Sequence, residues 1–288
     1  MDRNLPIGIF DSGVGGLTVY RALHDRLPDE HFVYLGDTAR VPYGTKSLAT
    51  VERYAVENAK FLAAHGIKLL VVACNTASAL ALPSIRKAVD VDVIGVIEPG
   101  ARAAVAAAQG KPIGVIATEA TVQSRAYARA IDNIQAGTEV IERACPLFVS
   151  LAEEGWAETE VARSVADQYL SDFAKRDIGA LVLGCTHYPI LRRVISETIN
   201  APIPLIDSGE ATATEVKSLL ASHALALTHD SQTTTTRKDD RQLCDDLDHF
   251  YVTDAAHRFA RVAERFLGAV PSVLEAVEVW GQDELRTY

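Results

Sequence analysis

Two short runs in this chain look like copies of one another: Leu69-Leu70-Val71-Val72-Ala73-Cys74-Asn75-Thr76 and Ala180-Leu181-Val182-Leu183-Gly184-Cys185-Thr186-His187. Each is apolar without alternation and ends in a small residue, a cysteine and small polar groups. Five or so apolar residues in a row suit a strand of a parallel sheet covered on both faces, because only then does every side chain need a dry environment. The cysteine then falls at the carboxyl end of its strand, where open α/β sheets bind their ligands. Two thiols in equivalent places, 111 positions apart, are what the fold has to explain.

Other markers repeat in the same order. Pro6-Ile7-Gly8-Ile9-Phe10 recurs as Pro112-Ile113-Gly114-Val115-Ile116, and Phe32-Val33-Tyr34-Leu35 has its counterpart at Thr138-Glu139-Val140-Ile141. Val93-Ile94-Gly95-Val96-Ile97 supplies a fourth strand, and Gly95-Val96-Ile97-Glu98 pairs with Ile203-Pro204-Leu205-Ile206-Asp207. Four markers at nearly constant offset read as an internal duplication. Between them the pattern changes to helical spacing, as in Leu17 to about Arg26 and in the stripe Leu48, Val51, Ala55 and Leu62 behind the N-cap residue Ser47. A further helix runs from Ala77, and another follows Asp207-Ser208-Gly209 to about Ala224. Alternating strand and helix implies parallel sheets with right-handed crossovers. The expected fold is therefore α/β, with two similar parallel-sheet domains facing one cleft.

The tail has no partner in the first half. His249 to Thr253 reads as a strand, and Asp254 can cap a final helix carrying Phe259, Val262, Phe266 and Leu267. An extra strand and helix most economically join the first sheet. The expected division is 1–98 with 207–288 for one domain and 99–206 for the other. The polar run Ser231 to Asp240 reads as a loop or mobile link.

Composition excludes several classes. The chain has 288 residues, 48% of them hydrophobic, enough for sizeable cores. A net charge of −10 lacks the basic face that a nucleic-acid partner requires. No apolar run is long enough to span a bilayer, and the start has no signal-peptide core, so a cytoplasmic protein is expected. Four cysteines without dense spacing read as free thiols, and Cys145 and Cys244 as inert core residues.

Asp11-Ser12-Gly13-Val14-Gly15-Gly16 joins a strand to a helix with neither Rossmann spacing nor a Walker lysine. It reads either as a turn that brings backbone N–H groups up to an anion such as a carboxylate, or as glycines permitting positive φ.

Two facing halves would put Cys74 and Cys185 on opposite sides of one cleft. That suits a reaction which is itself nearly symmetric: removal of a proton from one face of a carbon and its return to the other, by two thiols that exchange roles as base and acid. His187 and Glu153 or Glu154 can assist Cys185, and Asp11 can assist Cys74. Asn75, Thr76 and Thr186 offer groups to hold a carboxylate and an amino group. Two rivals stand beside this reading. A metal could be held by Cys74, Cys185 and His187, although Cys-x-His lacks paired zinc-site spacing. A Cys–His hydrolase would leave the second thiol without a task.

At these residues the chain resembles the glutamate racemases of the cofactor-independent aspartate/glutamate racemase superfamily. The matching motifs are Gly8 to Gly16, Tyr34-Leu35-Gly36-Asp37, Pro42-Tyr43-Gly44, Ala73 to Ser78, Cys145-Pro146, Leu183 to Pro189 and Ile206 to Gly209. The tail from Phe250 to Phe266 is similar to the family's C-terminus. The resemblance implies interconversion of L- and D-glutamate with no cofactor and no metal, supplying D-glutamate for peptidoglycan. Its runner-up is racemisation of aspartate or another amino acid; a regulatory binding role on this scaffold ranks lower still. The resemblance also implies that Cys74 takes the proton from D-glutamate, assisted by Asp11, and Cys185 from L-glutamate, assisted by Glu153 and His187. Asp11, Ser12, Tyr43, Gly44, Asn75, Thr76, Thr118, Thr121, Thr186 and His187 would line the substrate site. A homodimer is compatible with the resemblance. Where many members carry a proline before the assisting glutamate, this chain has Phe148-Val149-Ser150-Leu151-Ala152-Glu153, and Glu154 reads as a solvated helix-end charge.

Overall fold

The computed structural model describes residues 2–227 and 241–279; the polar run Ser231 to Asp240 lies outside them. The first half runs β1 (Ile7–Asp11), α1 (Leu17–Arg26), β2 (Phe32–Gly36), α2 (Leu48–Ala64), β3 (Leu69–Val72), α3 (Asn75–Leu80), α4 (Leu82–Ala88) and β4 (Asp92–Gly95). After α5 (Ile97–Ala108), the second half runs β5 (Ile113–Ala117), α6 (Glu119–Ser124), α7 (Ala126–Ile134), β6 (Val140–Ala144), α8 (Leu147–Glu153), α9 (Glu160–Leu170), β7 (Ala180–Gly184), α10 (Arg192–Ile199) and β8 (Leu205–Asp207). The chain continues through α11 (Ser208–Ser222), β9 (His249–Val252), α12 (Ala256–Leu267) and β10 (Val273–Ala276).

The duplication is plain in the strand order. One sheet is β10-β9-β2-β1-β3-β4 and the other β6-β5-β7-β8, so β2-β1-β3-β4 and β6-β5-β7-β8 are the same arrangement. Every pairing is parallel. β9 pairs with β2, which places the tail on the first sheet. The short strand β10, which the sequence pattern does not announce, extends that edge.

Alternate positions along the central strands face different cores, which accounts for apolar runs without alternation. Ile7, Ile9, Leu69 and Val71 share a buried cluster with Leu181 and Leu183 of the other sheet. Phe10, Leu70 and Val72 point the other way into a cluster beneath α2. Ile113, Val115, Ala180 and Val182 enter a third, against α5 and α7. The core is thus continuous between the halves, with α1 packed on α11 and α11 on α5.

Several local expectations shift. The fourth strand stops at Gly95, and Ile97 and Glu98 already belong to α5, so the true partner of the β8 end at Asp207 is Gly95 rather than Glu98. The apolar run over Val96 and Ile97 belongs to a buried first helical turn. β6 begins two residues later than the pattern suggested, at Val140. The helix after Cys74 starts at Asn75 and breaks at Ala81, just before Pro83 at the start of α4. Leu48 is exposed in the first turn of α2, while Val51, Ala55 and Leu62 are buried. Ser47 caps α2 by accepting the Thr50 N–H. Asp254 does not cap α12: the cap position is Ala255, in the left-handed region at φ 52°, and the Asp254 carboxylate takes the Ala255 N–H instead.

Candidate active site

Cys74 and Cys185 each follow the strand beside the central one of its sheet, β3 next to β1 and β7 next to β5. Both are nearly buried, at 5% and 6% exposure. The two sulfurs share one electrostatic neighbourhood, since negative charge on Cys185 disfavours charge on Cys74. Their surroundings differ.

Cys74 stands at the N-cap of α3, its Sγ accepting the Ala77 N–H at 3.5 Å while the thiol donates to Ser12 Oγ at 3.5 Å. Burial, reinforced by the nearby Asp11 carboxylate, pushes the thiol up to about 12 despite those two hydrogen bonds. It is therefore a neutral thiol, a proton donor, at neutral pH.

Cys185 Sγ lies 3.8 Å from His187 Nδ1, and His187 Nε2 lies 3.0 Å from Glu153 Oε1. Burial opposes a charge on the imidazole, but Cys185 and Glu153 outweigh it and lift His187 to about 10. Burial would raise Glu153 as well, yet His187 and Arg258 hold it below the usual carboxylate range. The result is a three-member line from sulfur to imidazole to carboxylate. Glu153, the last residue of α8, reaches His187, whereas Glu154 turns out to solvent and pairs with Arg258 at 3.7 Å.

Asp11 sits between the halves. Its carboxylate accepts the N–H of Gly13 at 2.9 Å and the hydroxyl of Thr186, from the other half, at 3.5 Å. The Gly16 amide also faces it; burial raises Asp11, and His187 with these donors works against that rise. The glycine turn thus brings backbone amides to a carboxylate, and that carboxylate is Asp11 itself. None of Gly13, Gly15 and Gly16 has a positive φ. Their smallness serves close approach: a Cβ on Gly15 would lie 2.3 Å from Thr186 Oγ1 and 2.4 Å from the His187 ring, and one on Gly16 would lie 2.4 Å from Asp11 Cβ.

The remaining candidates gather on the same seam. The hydroxyls of Thr76, Thr118 and Thr121 form a triangle with sides of 2.9, 3.0 and 3.2 Å, joining α3 to the start of α6. Asn75 accepts the Tyr127 hydroxyl at 2.7 Å and donates toward Ser208 Oγ at 3.5 Å. Gly44 packs so tightly on Thr118 that a Cβ would come within 2.8 Å. Tyr43 is placed differently from a residue that offers its hydroxyl to a ligand: that group is donated to Asp37, which also takes Arg40, Asn58 and Thr253. Sequence reasoning missed Thr18, which donates to the Thr186 carbonyl at 2.8 Å, and Tyr127 and Ser208, which orient Asn75. Only Ser208, inside a quoted motif, carried a signal. Among the described residues, no group of three His, Cys, Asp or Glu side chains is disposed to hold a metal ion, and no helix is long and apolar enough to cross a membrane.

Two parallel-sheet halves of one design thus carry a thiol at the same strand end in each. Residues 7–216 match the family described as Asp/Glu/Hydantoin racemase. A glutamate racemase of Geobacter metallireducens is 51% identical, over 91% of this chain and 92% of its own length. Among solved structures, a Bacillus anthracis glutamate racemase isoform aligns with a TM-score of 0.86 at 35% identity, covering 96% of this chain and 98% of that one. A Francisella tularensis glutamate racemase in complex with D-glutamate aligns at 0.84 and 40% identity, with the same coverage. The chain belongs to the Asp/Glu/Hydantoin racemase family.

Proposed function

We propose that this protein is a glutamate racemase in which Cys185 and Cys74 act as a pair of bases on opposite faces of the α carbon. The observation that carries the reading is the placement of the two thiols at equivalent strand ends of two sheets of the same order, meeting at one seam. With L-glutamate, Cys185 removes the α proton, leaving a planar carbanion, and the neutral thiol of Cys74 delivers a proton to the other face, giving D-glutamate. Cys185 then carries the substrate's proton and Cys74 is a thiolate, the state that accepts D-glutamate in reverse. His187 protonates readily and faces Cys185, so it stabilises negative charge on that sulfur; Glu153 holds the ring in place. Asp11 serves the Cys74 side as a charge near the sulfur rather than a hydrogen-bonded partner.

Ser12, Asn75, Thr76, Thr118, Thr121, Thr186 and the Tyr43-Gly44 segment would bind the α-amino and carboxylate groups, and the domains would divide as 1–98 with 207–288, and 99–206. Because both sulfurs are nearly sealed, substrate entry requires the halves to open. Excluding water then strengthens every charge interaction in the site. Glutamate rather than aspartate follows from what the relatives are. The D-glutamate would serve peptidoglycan synthesis, and a homodimer, readable by sedimentation, belongs to the same proposal. Purified protein without added cofactor should racemise either glutamate enantiomer, followed by circular dichroism, and turn over aspartate far more slowly. Faster turnover of aspartate would overturn the choice of substrate.

A further inference from the structure

The tail without a counterpart in the second half reaches the reacting centre from outside. α12 follows β9 on the first sheet, and its Phe259 ring packs 5.9 Å from Tyr34. Arg258 and Arg265, two turns apart and so on one helix face, both cross to the second half. Arg258 Nη2 lies 3.1 Å from Glu153 Oε2, and Arg265 Nη1 donates to the Glu153 carbonyl at 2.8 Å. Phe266, one residue further, stands edge-on to the His187 ring with centroids 6.0 Å apart.

A carboxylate has two oxygens, and here each has one task. Oε2 faces Arg258 and Oε1 faces His187. With Oε2 fixed, Oε1 is aimed at Nε2, and that contact turns Nδ1 toward Cys185. The Arg258 side chain is 56% exposed and that of Glu153 only 15%, so the pair adds little to stability. Its consequence is directional.

We propose that Arg258 is a positioning residue for proton transfer at Cys185, acting through Glu153 and His187. The inference rests on the reading of Cys185 as the base for L-glutamate. Because the enantiomers are equally stable, kcat/KM must fall by the same factor in both directions whichever step is slowed. Direction is read instead from substrate isotope effects. When transfer at Cys185 is slowed, removal of deuterium from [2-²H]-L-glutamate limits the rate more, and removal from [2-²H]-D-glutamate limits it less.

Arg258→Met should lower kcat/KM roughly tenfold, the lower edge of what losing an outer partner of a reacting group costs. The isotope effect should rise from the L side and fall from the D side. Arg258→Lys, which keeps the charge, should recover part of both changes. In a Glu153→Gln background, Arg258→Met should add less than about twofold, because the two act as one unit. Isotope effects that stay put or move together, or a full independent factor in the Glu153→Gln background, would overturn the role and leave the two-thiol reading intact. A wild-type protein showing no isotope effect and no racemisation would instead remove that reading, and this inference with it.

Discussion

The ends of β3 and β7 are the same place in two copies of one sheet, yet the sulfurs found there are equipped differently. Cys185 is followed two residues later by His187, and a line of side chains leads from it through Glu153 to Arg258. Cys74 has no imidazole; it has a serine hydroxyl, a backbone amide and the nearby charge of Asp11. An imidazole and a carboxylate stand behind one sulfur, while burial and Asp11 push the other thiol up. Two bases that trade roles must differ by one proton at any moment, so unlike surroundings are compatible with a shared task.

The comparison breaks most visibly if either sulfur is removed. Cys74→Ala and Cys185→Ala should each lose racemisation by roughly 10³-fold or more, within the range assigned to a positioned acid or base, as polarimetry from each enantiomer would read. A single mutant with near wild-type rate would leave one thiol idle and end the two-base account. Gly15→Ala tests the Cys185 side without replacing any titratable group. The new methyl would collide with Thr186 and the His187 ring, and displacing that ring by about an ångström should cost on the order of 10²-fold in kcat. Unchanged kcat in a folded protein would mean that the imidazole's position is not what matters.

The smallest expected effect is in stability against pH. Folding raises His187 from its ordinary 6.5 to about 10, so its stabilising contribution is full below 6.5 and is lost as the pH climbs through 10. Glu153 is shifted the other way and contributes above its ordinary value of 4.5, fading as acid carries the pH below that. The melting-temperature gap between wild type and His187→Gln should therefore shrink by a few degrees between pH 6.5 and pH 10. A gap that widens over this interval would show that His187 is held neutral.

Much of this was legible in the residues. A short unalternating apolar run bounded by turn residues suits a strand covered on both faces, so the two cysteine-bearing strands and their parallel sheets were legible. So was the equivalence of the halves, because repeated markers keep their order. What was not legible depended on distance in the chain. Val96 and Ile97 are as apolar in a buried helical turn as in a strand, so the end of β4 was misread. Local backbone rules account for a glycine at position 15 only loosely; its reason is Thr186 and His187, more than 170 positions away. Glu153 and Glu154 are adjacent and chemically equal; the resemblance favours Glu153, and in the fold it is Glu153 that meets His187. α12 was visible as an amphipathic helix, but nothing in its pattern says that its arginines reach Glu153 in the other half.

The most direct test of two bases on two faces is to run the reaction in deuterium oxide and stop it early. Starting from L-glutamate, the D-glutamate formed should carry one solvent deuterium at the α carbon while the recovered L-glutamate remains protiated, and starting from D-glutamate the pattern should be reversed. Deuterium appearing in the recovered substrate as fast as product forms, or product that retains the substrate's own hydrogen, would mean that a single base serves both faces and that the pairing of Cys74 with Cys185 is not the engine of the reaction.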